Sequence, residues 1–492
     1  MTSTGLSRRI AAVLSIDPSA PAVEFEARWR TWGDLRMTVD AIAGVVPEPG
    51  TPVGIFLRSR PVPVGLLLGV LQAGGCVVAI NPQRGVERTR ADIAELSLPL
   101  IAGEPADLEN HIDSSSSSAL LSADDLGSEV RITGDTPRGF ATRPDVAVRM
   151  LTSGTTGPPK RVDLGYDTIA RVLAGAKHYE ASNQTGLSLR SGVAVVNSPL
   201  VHLGGLFRIL QCVNDGRSFS LLERFTVDAW IDAVRRHRPK TVSLVPTALR
   251  MVLEADLDPD DLSSVRSVVS GTAPLSPDDA DAFTAKYGVP VLISYAATEF
   301  GGGVAGWNLG DHEQYWVEKR GSVGRAHAGC GLRIVDADSG GLLPHDEVGL
   351  LEVKASQLGS GTPWIRTTDR ARIDKDGFLF ILGRADQAII RGGFKVHPED
   401  VRSALERHPR VRGAAVVGAD HERLGAVPVA VVELRPGPPI GSDELITFIS
   451  GSLARYELPT RVILVDSLPR TPSAKVDLSA IKELVANTAS RS

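Results

Sequence analysis

Thr152-Ser153-Gly154-Thr155-Thr156-Gly157-Pro158-Pro159-Lys160 follows the strand-like stretch Val146 to Leu151, and its reading decides the rest. The stretch before it reads as a strand, and the nine residues as the loop that leaves it. Hydroxyls donate hydrogen bonds to phosphate oxygens, glycines let backbone N–H groups turn toward an anion, and Lys160 supplies positive charge. Gly, Ser, Thr and Pro are also ordinary turn formers. The spacing is not that of a Walker P-loop, which needs GxxxxGK[ST]. By chemistry alone the stretch serves as a phosphate cradle or as a surface turn.

Outward from this loop, the first two-thirds of the chain alternate helical patterns with short β-branched runs. Val193–Val196, Thr241–Val245, Val265–Ser270 and Val289–Ile293 are nearly all apolar and bounded by Gly, Pro, Asp or Ser. Strands buried on both faces read this way, so the expected class is α/β with helix-covered sheets. Val62–Ile80 is the longest apolar stretch, but Pro63 and Gly74-Gly75 divide it. It reads as a buried helix, a glycine turn and a buried strand Cys76–Ile80, and not as a membrane span. The serines 114–118 read as a surface loop.

From about Gly383 the texture becomes basic and glycine-rich. A helix around Glu399–Arg407, strands at Ala414–Gly418 and Pro428–Leu434, a helix Asp443–Arg455 and a strand Arg461–Val465 make a small α+β unit. The expected division is 1–385 for a large N-terminal domain and 386–492 for a small mobile one. A length of 492 residues suits two or more packed units. A net charge of −5 gives no reason to expect nucleic acid as a partner. Cys76, Cys212 and Cys330 are far apart, without metal-ligand spacing, which fits a reducing cytoplasm. The N-terminus is a poor signal peptide.

Further motifs follow the loop: Tyr295-Ala296-Ala297-Thr298-Glu299, Arg366-Thr367-Thr368-Asp369, Gly383-Arg384-Ala385-Asp386, Arg391-Gly392-Gly393-Phe394-Lys395 and Pro469-Arg470-Thr471-Pro472-Ser473-Ala474-Lys475. In this order, over essentially the whole chain, they resemble the acyl-CoA synthetase, adenylation-domain and luciferase superfamily. The resemblance implies an AMP-forming acyl-CoA ligase, an acid–thiol ligase that uses ATP, Mg2+ and CoA. Thr152, Ser153, Gly154, Thr155, Thr156 and Lys160 would hold phosphate. Gly271, Ala273 and Pro274, in the segment Ser270–Leu275, would flank adenine, and Tyr295 and Ala296 would stack on or border it. Thr298 would donate to the α-phosphate, and Glu299 would ligate Mg2+, a hard cation suited to carboxylate and phosphate oxygens.

Asp369 would accept both ribose hydroxyls, helped by Arg384; a two-oxygen, acceptor-only carboxylate suits a diol. Lys475 would bridge the acid's carboxylate and the α-phosphate, offsetting the repulsion between two anions. Asp386 would be the hinge, and Lys395, Gly392 and Gly393 would then face the acceptor's tunnel. The segment Ser198–Gly205 resembles the family's acid-pocket motif. His202 and Gly204 stand there without the carboxylate that amino-acid-activating relatives carry, so an apolar acid that is not an amino acid is expected. Gly271 and the run Gly301–Gly303 leave side-chain-free space beside it.

Four residues depart from the family's usual glycines: Arg161, Ala296, Thr368 and Ala474. They cluster around nucleotide handling, and added side chains there shift loops whose geometry matters. A ligase that only thioesterifies a preformed acyl-AMP is therefore an alternative. An amide synthetase and a carrier-protein acyl-AMP ligase are others, and a non-catalytic binding protein is disfavoured by Lys475, Glu299 and Asp369. After Lys475 only a short helix and tail are expected, so CoA or a separate carrier protein would be the acceptor. A homodimer stays open.

Overall fold

A computed structural model describes residues 5–113, 116–135, 139–152, 160–175, 187–471 and 475–489. The chain divides into two compact units. The first runs to Trp316 and takes in Ala355–Thr362; the second comprises Val317–Lys354 and the residues from Pro363 onward.

The first unit is α/β. Its largest sheet has a parallel centre in the order Ala119–Ser122, Leu100–Gly103, Pro52–Phe56, Cys76–Ile80 and Val146–Thr152. Arg131–Thr133 and Lys160–Gly165 close its two edges antiparallel. The apolar stretch of the sequence resolves as expected: helix Pro61–Gln72, a turn at Gly74 (φ +76°), then a fully buried strand Cys76–Ile80. Every residue from Pro61 to Leu71 is buried because the helix lies between the sheet and the helix Trp32–Val45. A Cβ at Gly69 would come within 2.6 Å of Ile42 Cβ, so close helix approach demands the glycine. No described helix is long and apolar enough to cross a membrane.

Two further sheets complete this unit. Arg190–Val196, Arg217–Leu221 and Pro21–Phe25 run parallel, with Arg28–Thr31 antiparallel at the edge. Thr241–Ser243, Ser267–Ser270 and Val291–Ala297 run parallel, and Gly302–Gly306 returns antiparallel.

A buried ionic knot stitches the Pro21–Phe25 strand to the helix Val227–His237. The Glu24 side chain is only 3% exposed, meets His237 Nε2 at 2.6 Å and pairs with the Arg236 guanidinium. Desolvation opposes its ionisation, but the Ser220 hydroxyl, His237 and Arg236 outweigh that and hold its pKa below the ordinary 4.5. The knot therefore contributes stability above the ordinary glutamate range, lost as pH falls through the depressed value. Glu24→Ala should cost about 3 kcal/mol in denaturant unfolding at neutral pH. It should also flatten the acid limb of the stability profile; an unchanged limb would refute this reading.

The second unit contains a sheet that the sequence reading did not anticipate. Gly331–Val335, Gly349–Lys354, Ile365–Ile373 and Leu379–Arg384 form a four-stranded antiparallel meander. Its strands mix charge with apolar residues, Arg333 and Arg366 both pairing with Glu352, so no all-apolar run announces them. Beyond it, Ile389–Arg391, Phe394–Val396, Val411–His421 and Gly425–Leu434 form a second antiparallel sheet, joined by Arg461–Val465 parallel to Gly425–Leu434. The helices are Pro398–Glu406, Ser442–Ser450 and Leu478–Ala489. The expected helix to Arg455 thus ends earlier, at Ser450, and the strand expected to start at Ala414 spans Val411–His421.

Candidate active site

In open α/β sheets, ligands bind beyond the carboxyl ends of parallel strands. Three sets of candidate residues lie at such ends in the first unit. The Val146–Thr152 strand ends at Thr152, and Lys160 stands opposite it across the antiparallel return. Lys160 is exposed. Ser153, Gly154, Thr155 and Thr156 lie outside the described residues.

The strands Ser267–Ser270 and Val291–Ala297 are in register with Ser270 beside Ile293, so Gly271 leaves the sheet next to Ser294, while Tyr295 continues its strand opposite Ala305. A Cβ at Gly271 would sit 3.0 Å from the Ser294 carbonyl oxygen, which explains the glycine by close approach of two chains. Thr272 next to it has φ +71°, a left-handed conformation that a β-branched residue adopts only under constraint. Ala273 and the exposed Pro274 complete the turn. Tyr295 is half-buried, its ring 6.1 Å from that of the buried Phe300. Thr298–Phe300 forms a single 3-10 turn, closed by the Gly301 N–H donating to the Thr298 carbonyl at 2.9 Å.

Glu299 is exposed on this turn. Among the described residues no group of three or more His, Cys, Asp or Glu side chains could hold a metal. A single carboxylate suits Mg2+ that takes its other ligands from phosphate and water. The run Gly301–Gly303 is less open than the sequence suggests. Gly302 and Gly303 are strand residues opposite Ala297 and Ala296, and a Cβ at Gly301 would lie 2.8 Å from Thr168 Cγ2.

His202 stands at the N-terminus of the helix Leu203–Asn214, half-buried, just past the carboxyl end of Arg190–Val196. Its turn is anchored by Leu200 N–H donating to Ser59 Oγ at 3.2 Å, a partner that no sequence signal marks. Gly204 is exposed, with nothing within 4 Å of an added Cβ.

In the second unit, Asp369 pairs across the sheet with Arg384. Asp369 N–H donates to Thr367 Oγ1 at 3.0 Å, and that hydroxyl donates to the Leu351 carbonyl at 2.9 Å. The Arg384 guanidinium grips Asp386 through two N–H groups, at 2.9 and 2.7 Å. Arg384, together with the Thr368 hydroxyl, holds the Asp386 carboxyl below the usual carboxylate range. The departure at Thr368 thus places a donor beside the expected hinge.

Gly392 (φ +56°) and Gly393 (φ +89°) form the two-residue connection between Ile389–Arg391 and Phe394–Val396. Positive φ at both central residues is what such hairpins require, so the turn accounts for these glycines whatever else they admit. Lys395 is exposed opposite Ile390. Lys475 follows residues outside the described set, Ala474 among them. Its carbonyl accepts the Thr471 N–H at 2.8 Å, and Arg470 bridges Val476. Desolvation pushes its ammonium pKa below the ordinary 10.5.

Residues 12–361 match the profile of the AMP-binding enzyme family, and residues 400–475 that of the AMP-binding enzyme C-terminal domain. A 4-coumarate–CoA ligase-like protein of Arabidopsis thaliana is 29% identical over 484 residues, covering 90% of this chain and 86% of that protein. The indoleacetate–CoA ligase of Aromatoleum aromaticum (strain DSM 19018 / LMG 30748 / EbN1) is 27% identical, with 98% of each chain covered. Among solved structures, an amide bond synthetase from Marinactinospora thermotolerans superposes with a TM-score of 0.80 at 27% identity, covering 98% of this chain and 99% of that one.

Proposed function

Because this chain belongs to the AMP-binding enzyme family, we propose that it is an AMP-forming acid–thiol ligase that joins an aryl-bearing, apolar carboxylic acid to CoA. The observation that supports the reading is that the candidate phosphate and adenine segments follow parallel strands, in a chain whose residues 12–361 and 400–475 match the two family profiles. The aryl class is supported by the 4-coumarate and indoleacetate ligases among its relatives. An apolar acid is supported by Ser198–Gly205, which offers no carboxylate to an ammonium group.

In this reading a carboxylate oxygen attacks the α-phosphorus of ATP, the bond to the β-phosphate bridging oxygen breaks, and pyrophosphate leaves. Lys475 offsets the charge of the two approaching anions, Thr298 donates to the α-phosphate, and Tyr295 stacks on adenine. Asp369 accepts the ribose hydroxyls, with Arg384 beside it. Glu299, together with the nucleotide's phosphates, would hold Mg2+, which would supply charge neutralisation there. The CoA thiolate then attacks the acyl carbon and AMP leaves with the bonding pair. Asp386 acts as the hinge between these steps, and Lys395 with Gly392 and Gly393 faces the incoming thiol.

Pyrophosphate release with a panel of aryl and alkyl acids, followed by mass spectrometry of products with CoA or amines, tests the reading. Release with aryl acids and thioester formation are expected. Amide products without thioester would assign the chain to the amide-forming branch. Consumption of synthetic acyl-adenylate with CoA, but no pyrophosphate from any acid, would leave only the second step.

A further inference from the structure

Arg161 stands where the family commonly has glycine, directly after the last residue of the phosphate loop. The local sheet order is Pro52–Phe56, Cys76–Ile80, Val146–Thr152, Lys160–Gly165, with Leu151 opposite Arg161 and Val78 beside Arg149. Side chains alternate faces along a strand. Val148, Met150 and Leu164 enter the main core. Arg149, Leu151 and Arg161 therefore share the other face, where Val78 and Ile80 pack with Ile93 of the helix Val86–Leu96.

On that face the Arg161 side chain reaches over the Val146–Thr152 strand. Nη1 donates to the Ala79 carbonyl at 3.1 Å, and Nη2 pairs with Asp92 Oδ2 at 2.6 Å. Both side chains are largely buried, 11% and 16% exposed. One guanidinium thus ties the return strand to the end of Cys76–Ile80 and to the Val86–Leu96 helix, at the level where the phosphate loop departs. A guanidinium already paired with a buried carboxylate is a poor phosphate ligand, since Asp92 repels the anion. Its geometry suits fixation of the strand whose first residue, Lys160, projects from the opposite face.

We propose that Arg161 and Asp92 form a clamp that fixes the Lys160 end of the phosphate loop, making both positioning residues for the β- and γ-phosphates of ATP. The inference rests on the ligase reading and deepens it. Thr298 takes the α-phosphate in that reading, so the loop serves the phosphates beyond it. Loosening the return strand lets Lys160 drift from its place opposite Thr152, where the reading has it meet the nucleotide's phosphates. The affected ligand is ATP; AMP, which lacks those phosphates, is spared.

Titration calorimetry of the full chain with Mg·ATP and with AMP, on Arg161→Ala, Arg161→Lys, Asp92→Asn and the Ala/Asn double variant, tests this. ATP affinity should fall roughly tenfold in Arg161→Ala and in Asp92→Asn, and no further in the double variant, because the pair acts as one unit. AMP affinity should stay within about twofold, and Arg161→Lys should keep most ATP affinity. A wild-type chain that binds neither nucleotide would remove the ligase reading and the clamp together. A wild-type chain that binds ATP, with Asp92→Asn and Arg161→Ala binding it equally well, would remove the clamp alone. Parallel loss of ATP and AMP affinity with a lowered melting temperature would assign the pair to general stability and overturn the proposal. If Arg161→Ala does not fold, Asp92→Asn, which keeps the shape of the side chain, carries the test.

Discussion

Lys475→Ala is expected to cut pyrophosphate release by roughly 10²–10³-fold, the scale of removing one charge-stabilising donor from a preorganised site. Conversion of a supplied acyl-adenylate to thioester should stay near the wild-type rate, because in that step the thiolate attacks the acyl carbon and not the phosphorus, and the reading assigns Lys475 no part in it. The split between the two steps separates a role in adenylation from a general loss of structure. Its pH dependence is a second signature. Desolvation lowers the Lys475 pKa below 10.5, so the ammonium is present at low pH and is lost as pH rises through that lowered value. The kcat/KM for pyrophosphate release without CoA, which reports the free enzyme, should therefore decline on the alkaline side earlier than an ordinary lysine would dictate. In Lys475→Arg, whose guanidinium stays charged, that limb should move to higher pH even if the rate falls. Wild-type pyrophosphate release by Lys475→Ala would exclude the role.

The candidate site residues could be picked out in sequence because they lie in short motifs that follow strand-like runs. Cys76–Ile80 could be read as a buried strand, since both its faces are covered and all five residues are apolar; Val146–Thr152 could be read as a strand despite Arg149, which pairs with Asp163 on the return strand. The meander Gly331–Arg384 could not, because Glu352 is buried only by virtue of two arginines from neighbouring strands. Pairing across a sheet leaves no periodic trace in one strand. The same holds for Arg161, whose partner Asp92 lies 69 residues earlier. The sequence marked Arg161 as a departure from glycine and suggested damage to the loop. The structure gives the side chain a carboxylate and a carbonyl instead. Thr368 is similar: the added hydroxyl meets Asp386. Gly392 and Gly393 err in the opposite direction, since a functional reading was available from sequence while the hairpin demands both glycines on conformational grounds. A glycine's reason is set by what its missing Cβ would have met, which only the fold supplies.

That logic makes the adjacent glycines of the acid segment respond in opposite ways to one methyl group. An ideal Cβ at Gly205 lies 2.2 Å from the Pro199 carbonyl oxygen and 2.6 Å from that of Ser198. These are backbone atoms of a turn fixed by His202 N–H donating to the Pro199 carbonyl at 3.0 Å and by Leu200 N–H on Ser59. No rotamer change relieves the clash, so the turn or the helix must move. Gly205→Ala should destabilise the first unit by about 3 kcal/mol, the upper range for overpacking. With the turn displaced, His202 moves too, and the KM for the acid should rise sharply in whatever protein folds. At Gly204 nothing lies within 4 Å of the added atom, and the residue is in the first turn of the helix Leu203–Asn214. Gly204→Ala should therefore gain about 0.5–1 kcal/mol from reduced backbone freedom. Its methyl would occupy space that the proposed acid uses, so KM should rise more for bulky aryl acids than for small ones, with kcat little changed. Equal melting temperatures for the two variants would contradict the packing argument. A Gly204→Ala enzyme with unaltered preference among acids would remove Gly204 from the acid site while leaving the helix argument standing.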